Sequence, residues 1–151
     1  MNMTYPEHRS DAGLATALRI SVSRLARRLR AERYTKGLEP DLSDTQLAAL
    51  AALERHGQMT PGELAEHEKV QPPSMTRVIG VLEERGLVMR SPHATDRRQV
   101  MLSVTEHGRA VVQQSRRLRE AWLAQRLHDL SPQDRATLRA AAPILEKLSQ
   151  S

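Results

Sequence analysis

Apolar residues recur at spacings of three and four along most of this chain, but from Val100 to Val104 they fall on every second position. There Val100, Leu102 and Val104 alternate with Gln99, Met101 and Ser103, the period of a strand with one buried face. A short strand candidate, "LVMR" at 87–90, precedes it across a basic loop from Ser91 to Arg98, so the two read as a hairpin. Everything around the hairpin reads as helix. The chain has no Phe, a single Trp122 and only Tyr5 and Tyr34, so packing rests on Leu, Val, Ile, Ala and Met, a set that favours helices with interlocking apolar stripes. At 151 residues it is about one domain long, and a single domain over 1–151 is expected.

The helices are marked by their ends. Leu14, Leu18, Val22, Leu25 and Leu29 draw one stripe along a first long helix from about Asp11 to Tyr34, with Arg24, Arg27, Arg28 and Arg30 away from it. "KGLEPDLS" interrupts the pattern at Gly37 and Pro40. Ser43 then stands as an N-cap with Gln46 three positions on, a capping box, and Leu42 can staple onto Leu47. The same device returns in "MTPGELAEH", where Thr60 caps, Pro61 takes the first helical position, Glu63 completes the box and Met59 faces Leu64. After the turn "EKVQPP", Met75, Val78, Ile79 and Leu82 follow the spacing i, i+3, i+4, i+7, and Gly86 ends the helix. Beyond the hairpin, Thr105 can cap a long helix carrying Val111, Leu118, Trp122 and Leu127. Ser131 and Pro132 start a last helix that presents Leu138, Ala141, Leu145 and Leu148.

Two helices joined by a short turn and followed directly by a hairpin form a winged helix-turn-helix: mainly α with a small β-hairpin wing. In that arrangement the second helix enters a major groove and the hairpin reaches a neighbouring minor groove. With Met75, Val78, Ile79 and Leu82 inward, 100° per residue puts Pro73, Arg77 and Gly80 opposite, with Ser74 and Thr76 at the flanks. Arg77 can donate two hydrogen bonds to guanine O6 and N7, and Ser74 suits a phosphate or base edge near the positive end of the helix dipole. On an arbitrary helix Arg77 would be an ordinary solvated arginine; its place at the front of the second helix of this unit favours the groove. At the hairpin tip "HATDRRQ" sets Asp96 beside Arg97 and Arg98. A minor groove attracts guanidinium by its concentrated negative potential, and a neighbouring carboxylate can fix the fork. The plainer alternative is a turn closed by Asp96 with solvated arginines. The net charge of +5 and pI near 10.4 favour an anionic partner.

In its order of elements, and above all in "LAEHEKVQPPSMTRVIGVLEERGLVMRSPHATDRRQVMLSVTEHG", the chain resembles the MarR family of bacterial transcription regulators over nearly its whole length. "QPPSMTRVIGVLEERGLV" matches the family's recognition helix, and "DRR" matches its wing signature of Asp, any residue, Arg. The resemblance implies that Arg98 enters the minor groove with Asp96 orienting it, and that Pro73, Ser74 and Arg77 take groove-facing places. Thr60, Gln71, Thr76 and Arg97 complete the candidate DNA-binding set. It further implies a homodimer built from N- and C-terminal dimerisation helices, about 11–36 and 106–149, around a winged unit at about 43–104. Leu14, Leu18, Trp122, Leu138, Leu145 and Leu148 lie outside the reading unit and need a partner surface. A twofold dimer sets its recognition helices about one DNA turn apart, roughly 34–36 Å, and requires a pseudo-palindromic double-stranded operator. Members of the family commonly release DNA on binding small phenolic or aromatic anions, so a repressor with such an effector is expected; the lining residues are not readable from the sequence. A winged helix used for protein contacts and an activator without ligand control are the competing readings.

Several classes are disfavoured. Absence of cysteine removes disulfides, thiolate metal sites, Cys nucleophiles and thiol redox sensing. "MNMTYPEHRSDAG" lacks the apolar core of a signal peptide and no apolar run approaches the ~20 residues that span a bilayer, so a cytoplasmic protein with no membrane partner is expected. Without a G-x-S-x-G elbow, a Walker loop or a distinctive carboxylate pair, nothing supports an enzyme. His56, Glu63, His67 and Glu68 come nearest to a metal set but lack a closed pattern, and neither metal nor cofactor is expected. His93 reads as a solvated loop residue rather than a pH switch, and the arginines from Arg24 to Arg33 as a solvated face partly balanced by Glu32, with a contribution to phosphate contacts and the dimer surface as the other reading.

Overall fold

A computed structural model of the chain describes residues 10–32, 39 and 42–151. The elements in chain order are α1 (Asp11–Ala31), α2 (Asp44–His56), α3 (Pro61–His67), α4 (Pro72–Glu84), β1 (Val88–Pro92), β2 (Val100–Val104), α5 (Glu106–His128) and α6 (Pro132–Ser149). They pack as two compact units, 33–117 on the one hand and 1–32 with 118–151 on the other. The expected extension of the first helix to Tyr34, and the break at Gly37 and Pro40, lie outside the described residues.

In the unit 33–117 both expected capping boxes form. Ser43 Oγ accepts from Gln46 N at 3.1 Å while Gln46 Oε1 accepts from Ser43 N at 2.9 Å. Thr60 Oγ1 accepts from Glu63 N at 3.2 Å and Glu63 Oε2 from Thr60 N at 2.8 Å. Such caps satisfy donors that a helix start leaves orphaned and contribute about 1 kcal/mol each. The C-terminal ends are closed just as locally. At the end of α4, Gly86 at φ 69° donates to Glu83 O and Leu87 N to Leu82 O, both at 2.9 Å. At the end of α3 the same pair of bonds runs from Lys69 N to Glu66 O (3.2 Å) and Val70 N to Ala65 O (3.0 Å). Here the left-handed position is Lys69, at φ 55°, where a side chain costs about 1–2 kcal/mol that glycine would not.

Two boundaries differ from the sequence expectation. Helix α4 begins at Pro72, inside the stretch read as a turn, because prolines fit a first helical turn whose N–H groups have no helical acceptor. Strand β1 continues through Ser91 and Pro92, which the sequence places in the loop; they pair with Met101 and Val100 and shorten the loop to 93–99. Pro92 is tolerated because β1 is an edge strand. The hairpin also has a neighbour that local periodicity does not show. Leu102 N donates to Met59 O at 2.8 Å and Met59 N to Leu102 O at 3.1 Å, so the residue before Thr60 bridges the edge of β2 away from β1.

The buried apolar side chains of the described residues all lie between Leu42 and Val112. Leu50, Leu53, Leu64, Met75, Ile79, Leu82, Leu87 and Leu102 form its centre, drawn from every helix of the helix-turn-helix and from both sides of the hairpin. Burial of such a side chain contributes about 1.5–3 kcal/mol. Of the alternating strand residues only Leu102 is fully buried; Val100 and Val104 are half-buried.

The second unit differs sharply. Neither α1 nor α6 contains a buried residue. Leu14, Val22, Leu25, Leu138, Ile144, Leu145 and Leu148 are 40 to 61% exposed. The guanidinium carbons of Arg28 and Arg126 stand 5.3 and 4.8 Å from the centre of the Trp122 ring, and Arg28 also pairs with Glu32 at 3.1 Å. Helix α6 contains an interior proline, Pro143, unexpected from its leucine spacing; it offers no N–H to the carbonyl of Arg139. Among the described residues no helix is long and apolar enough to cross a membrane.

The chain packs closely where α5 begins. Thr105 Oγ1 donates to Gly86 O at 2.6 Å and accepts from Gly108 N at 3.0 Å, while Thr105 N donates to Leu87 O at 3.0 Å. A Cβ on Gly108 would sit 2.2 Å from Leu87 O and 2.7 Å from Val104 Cγ2. Gly108→Ala is therefore expected to destabilise the fold by about 1–3 kcal/mol in thermal or denaturant unfolding, although alanine is the better helix former. An unchanged melting temperature would show that this helix end can move aside.

Candidate nucleic-acid interface

The front of α4 is assembled by its sequence as an open, donor-bearing edge. Gln71 is the N-cap, and its side chain makes no capping hydrogen bond. Pro72 and Pro73 fill the first two helical positions, leaving the Ser74 N–H, at the third, as the first amide of the helix proper. Met75 and Ile79 are 1% exposed and anchor the inner face. Gln71, Pro73, Ser74, Thr76, Arg77 and Gly80 are all exposed, as the 100° periodicity requires. Thr76 Oγ1 donates to Pro72 O at 3.0 Å, so its hydroxyl proton is held by its own helix. Arg77 has no ion-pair partner among the described residues. Gly80 stands in open space, with nothing within 4 Å of where a Cβ would be. Thr60 is half-buried and its hydroxyl is already engaged in capping α3.

The wing tip carries the other candidate cations. Arg98 is 93% exposed at its side chain, with Nε 3.4 Å from Asp96 Oδ1, and its backbone N donates to the same oxygen at 3.0 Å. An ion pair this exposed adds little stability. Arg97 is exposed and without an ion-pair partner among the described residues. His93 is not the solvated loop residue expected: it is half-buried, and its Nδ1 accepts from the backbone N of Thr95 and Asp96. An imidazole in a loop gives no sign in sequence that a tip will close around it.

Sequence reasoning also missed the ties that hold this surface together. Arg90 on β1 donates to Glu83 on α4 at 2.6 Å, joining the recognition-helix candidate to the wing. Glu39 accepts from Arg85 at 3.3 Å and lies 3.1 Å from His107 Nε2, joining the approach to α2 with the end of α4 and the start of α5. Partners this far apart in sequence leave no periodic signal. Of the four residues that come nearest to a metal set in sequence, Glu63 is engaged in its capping box, His67 lies 3.4 Å from Glu68, and the rings of His56 and His67 meet edge to face at 4.8 Å. Among the described residues no group of three or more such side chains can hold a metal ion.

Comparison with known proteins agrees with this geometry. Residues 42–100 match the model of the MarR family. An HTH-type transcriptional regulator of Mycobacterium bovis is 48% identical over 136 residues, covering 90% of this chain and 92% of that protein. The HTH-type transcriptional repressor MdtR of Bacillus subtilis is 28% identical over 138 residues, covering 91% of this chain and 87% of its own. The crystal structure of a transcriptional regulator from Pseudomonas aeruginosa superposes with a TM-score of 0.80 at 35% identity, over 95% of this chain and 99% of that one. The chain is therefore a DNA-binding regulator rather than an enzyme, and it belongs to the MarR family of winged helix-turn-helix transcription regulators.

Proposed function

We propose that this protein is a repressor that binds a pseudo-palindromic operator as a homodimer and leaves it when a small phenolic or aromatic anion binds. The observation that carries the DNA-reading part is the pairing of two exposed guanidiniums with different supports. Arg77 lies on the outer face of α4 with no ion-pair partner among the described residues, and Arg98 is held by Asp96 at the tip of the wing. Gln71, Pro73, Ser74, Thr76 and Arg77 meet the major groove, with Thr60 at its edge, and Asp96, Arg97 and Arg98 meet the minor groove. Gly80 supports the same reading. Glycine there costs the helix about 1 kcal/mol relative to alanine, and no side chain among the described residues needs the space. An external surface that approaches the backbone closely does need it.

The dimer is supported by α1 and α6, which expose Leu14, Val22 and Leu25 on the one and Leu138, Ile144, Leu145 and Leu148 on the other and bury no residue of their own. Apolar surface of that kind marks a protein partner, and a twofold copy supplies it symmetrically. The repressor role follows the name of the Bacillus subtilis relative. Release by an effector needs the ligand to prefer a dimer whose recognition helices are misplaced for adjacent grooves.

Sequencing the genomic fragments retained by the purified protein would identify the operator and display its symmetry. On that operator Arg98→Ala is expected to weaken binding by tenfold or more, on the order of 1.4 kcal/mol or above, with the dimer intact by light scattering. Unchanged affinity would remove the wing from the interface. Arg77→Ala should lose about 1–3 kcal/mol of discrimination at one base pair of each half-site, read by competition with single-base variants. Gly80→Ala should raise the melting temperature while lowering operator affinity; a variant both more stable and equally tight would exclude close approach at Gly80. Leu138→Glu with Leu145→Glu should shift the mass in solution towards the monomer, and a mass unchanged at micromolar concentration would place the dimer surface elsewhere.

A further inference from the structure

The wing tip is closed by a side chain that the DNA-facing set leaves out. His93 Nδ1 accepts from Asp96 N at 3.0 Å and from Thr95 N at 3.2 Å, with Thr95 Oγ1 at 3.4 Å. Two N–H groups converging on one ring nitrogen require a lone pair there, so the proton of a neutral imidazole sits on Nε2. The backbone held in this way belongs to Asp96, whose carboxylate in turn accepts from Arg98 N at 3.0 Å and lies 3.4 Å from Arg98 Nε. The tip is completed by Gln99 N donating to Asp96 O at 3.1 Å. Imidazole, backbone, carboxylate and guanidinium thus form one sequence of contacts ending at the exposed arginine.

We propose that His93 is a positioning residue of the wing, and that its neutral imidazole makes operator binding sensitive to acid. The assignment rests on the reading of Asp96 and Arg98 given above. Protonation of Nδ1 turns the acceptor into a donor facing two donors, so both bonds are lost and the backbone at 95–96 loses its anchor. The charged groups of the hairpin around His93 are Asp96, Arg97 and Arg98 at the tip and Arg90 on β1; β2 carries none. A proton gained there also adds positive charge to a DNA-facing surface, which by itself would tighten binding. The sign of the pH dependence therefore separates loss of geometry from gain of charge.

The test compares the full-length protein with His93→Asn, whose side-chain oxygen can accept the same bonds and does not titrate. Binding to an operator duplex recovered by the genomic selection would be followed by fluorescence anisotropy from pH about 7.5 to about 5.5 at constant ionic strength. The two proteins should bind alike at the upper end, and the unmodified protein should lose roughly five- to tenfold more affinity on acidification. His93→Ala should bind weakly throughout. The remaining histidines are common to all three and cancel. A readout without DNA accompanies it: nitrogen NMR should show the Nε2–H tautomer at His93, and the Thr95 and Asp96 amide shifts should follow its titration. Parallel pH profiles, tighter binding of the unmodified protein at low pH relative to His93→Asn, or an Nδ1–H tautomer would each overturn the assignment. If instead Arg98→Ala binds as the unmodified protein does at the upper pH, it is the wing reading that fails, and the NMR result still decides the place of His93.

Discussion

The reading unit depends on the meeting of Thr105 with the end of α4. One hydroxyl there donates to Gly86 O and accepts from Gly108 N, and the neighbouring amide takes Leu87 O. Four chain segments converge on it: the last turn of α4, the start of β1, the end of β2 and the start of α5. Only hydrogen at the Gly108 position lets α5 come this close to the carbonyl of Leu87. The wing is thereby seated on the same small cluster that ends the recognition helix, and the Glu83–Arg90 pair adds a second tie nearer the surface. Both candidate reading elements are thus built from one block of close-packed, hydrogen-bonded structure, which is what a geometric reader of DNA needs.

Stability and recognition fall on different residues of that block. The apolar core from Leu42 to Val112 contains no group proposed to face DNA, and the outward set Gln71, Ser74, Arg77, Arg97 and Arg98 contributes no buried apolar surface. Substitution of the outward set therefore probes binding without a large change in folding. Lys69 is the exception in the connecting turn, since its left-handed backbone is maintained at a cost by the bonds that end α3. The unit of α1, α6 and the later part of α5 is different again, because many of its large apolar residues are still exposed within one chain and, among the described residues, none is buried.

Legibility in the sequence followed the range of each interaction. The caps at Ser43, Thr60, Thr105 and Ser131 are contacts across three residues between types with a single obvious use there, and each is found where the spacing puts it. The inner face of α4 is equally local, as Met75, Ile79 and Leu82 show. The start of α4 at Pro72 was hidden because prolines mark turns and first helical turns alike. Pro92 hid the end of β1 in the same manner. The Met59–Leu102 bridge and the contacts of Glu39 join residues dozens of positions apart, beyond any periodic signal. His93 is the instructive miss. Its contact is local, yet imidazole is outside the set of side chains, Ser, Thr, Asp and Asn, whose use as turn acceptors is read from sequence.

Val88 and Leu102 are the buried residues of the two strands, and both backbone groups of Leu102 go to Met59. Outward from that point, β1 and β2 hold together through pairing and half-exposed side chains. The distal hairpin therefore adds little to the apolar core. Its tip touches none of the leucines beneath, so the sequence there can drift during evolution while the fold that carries it stays the same.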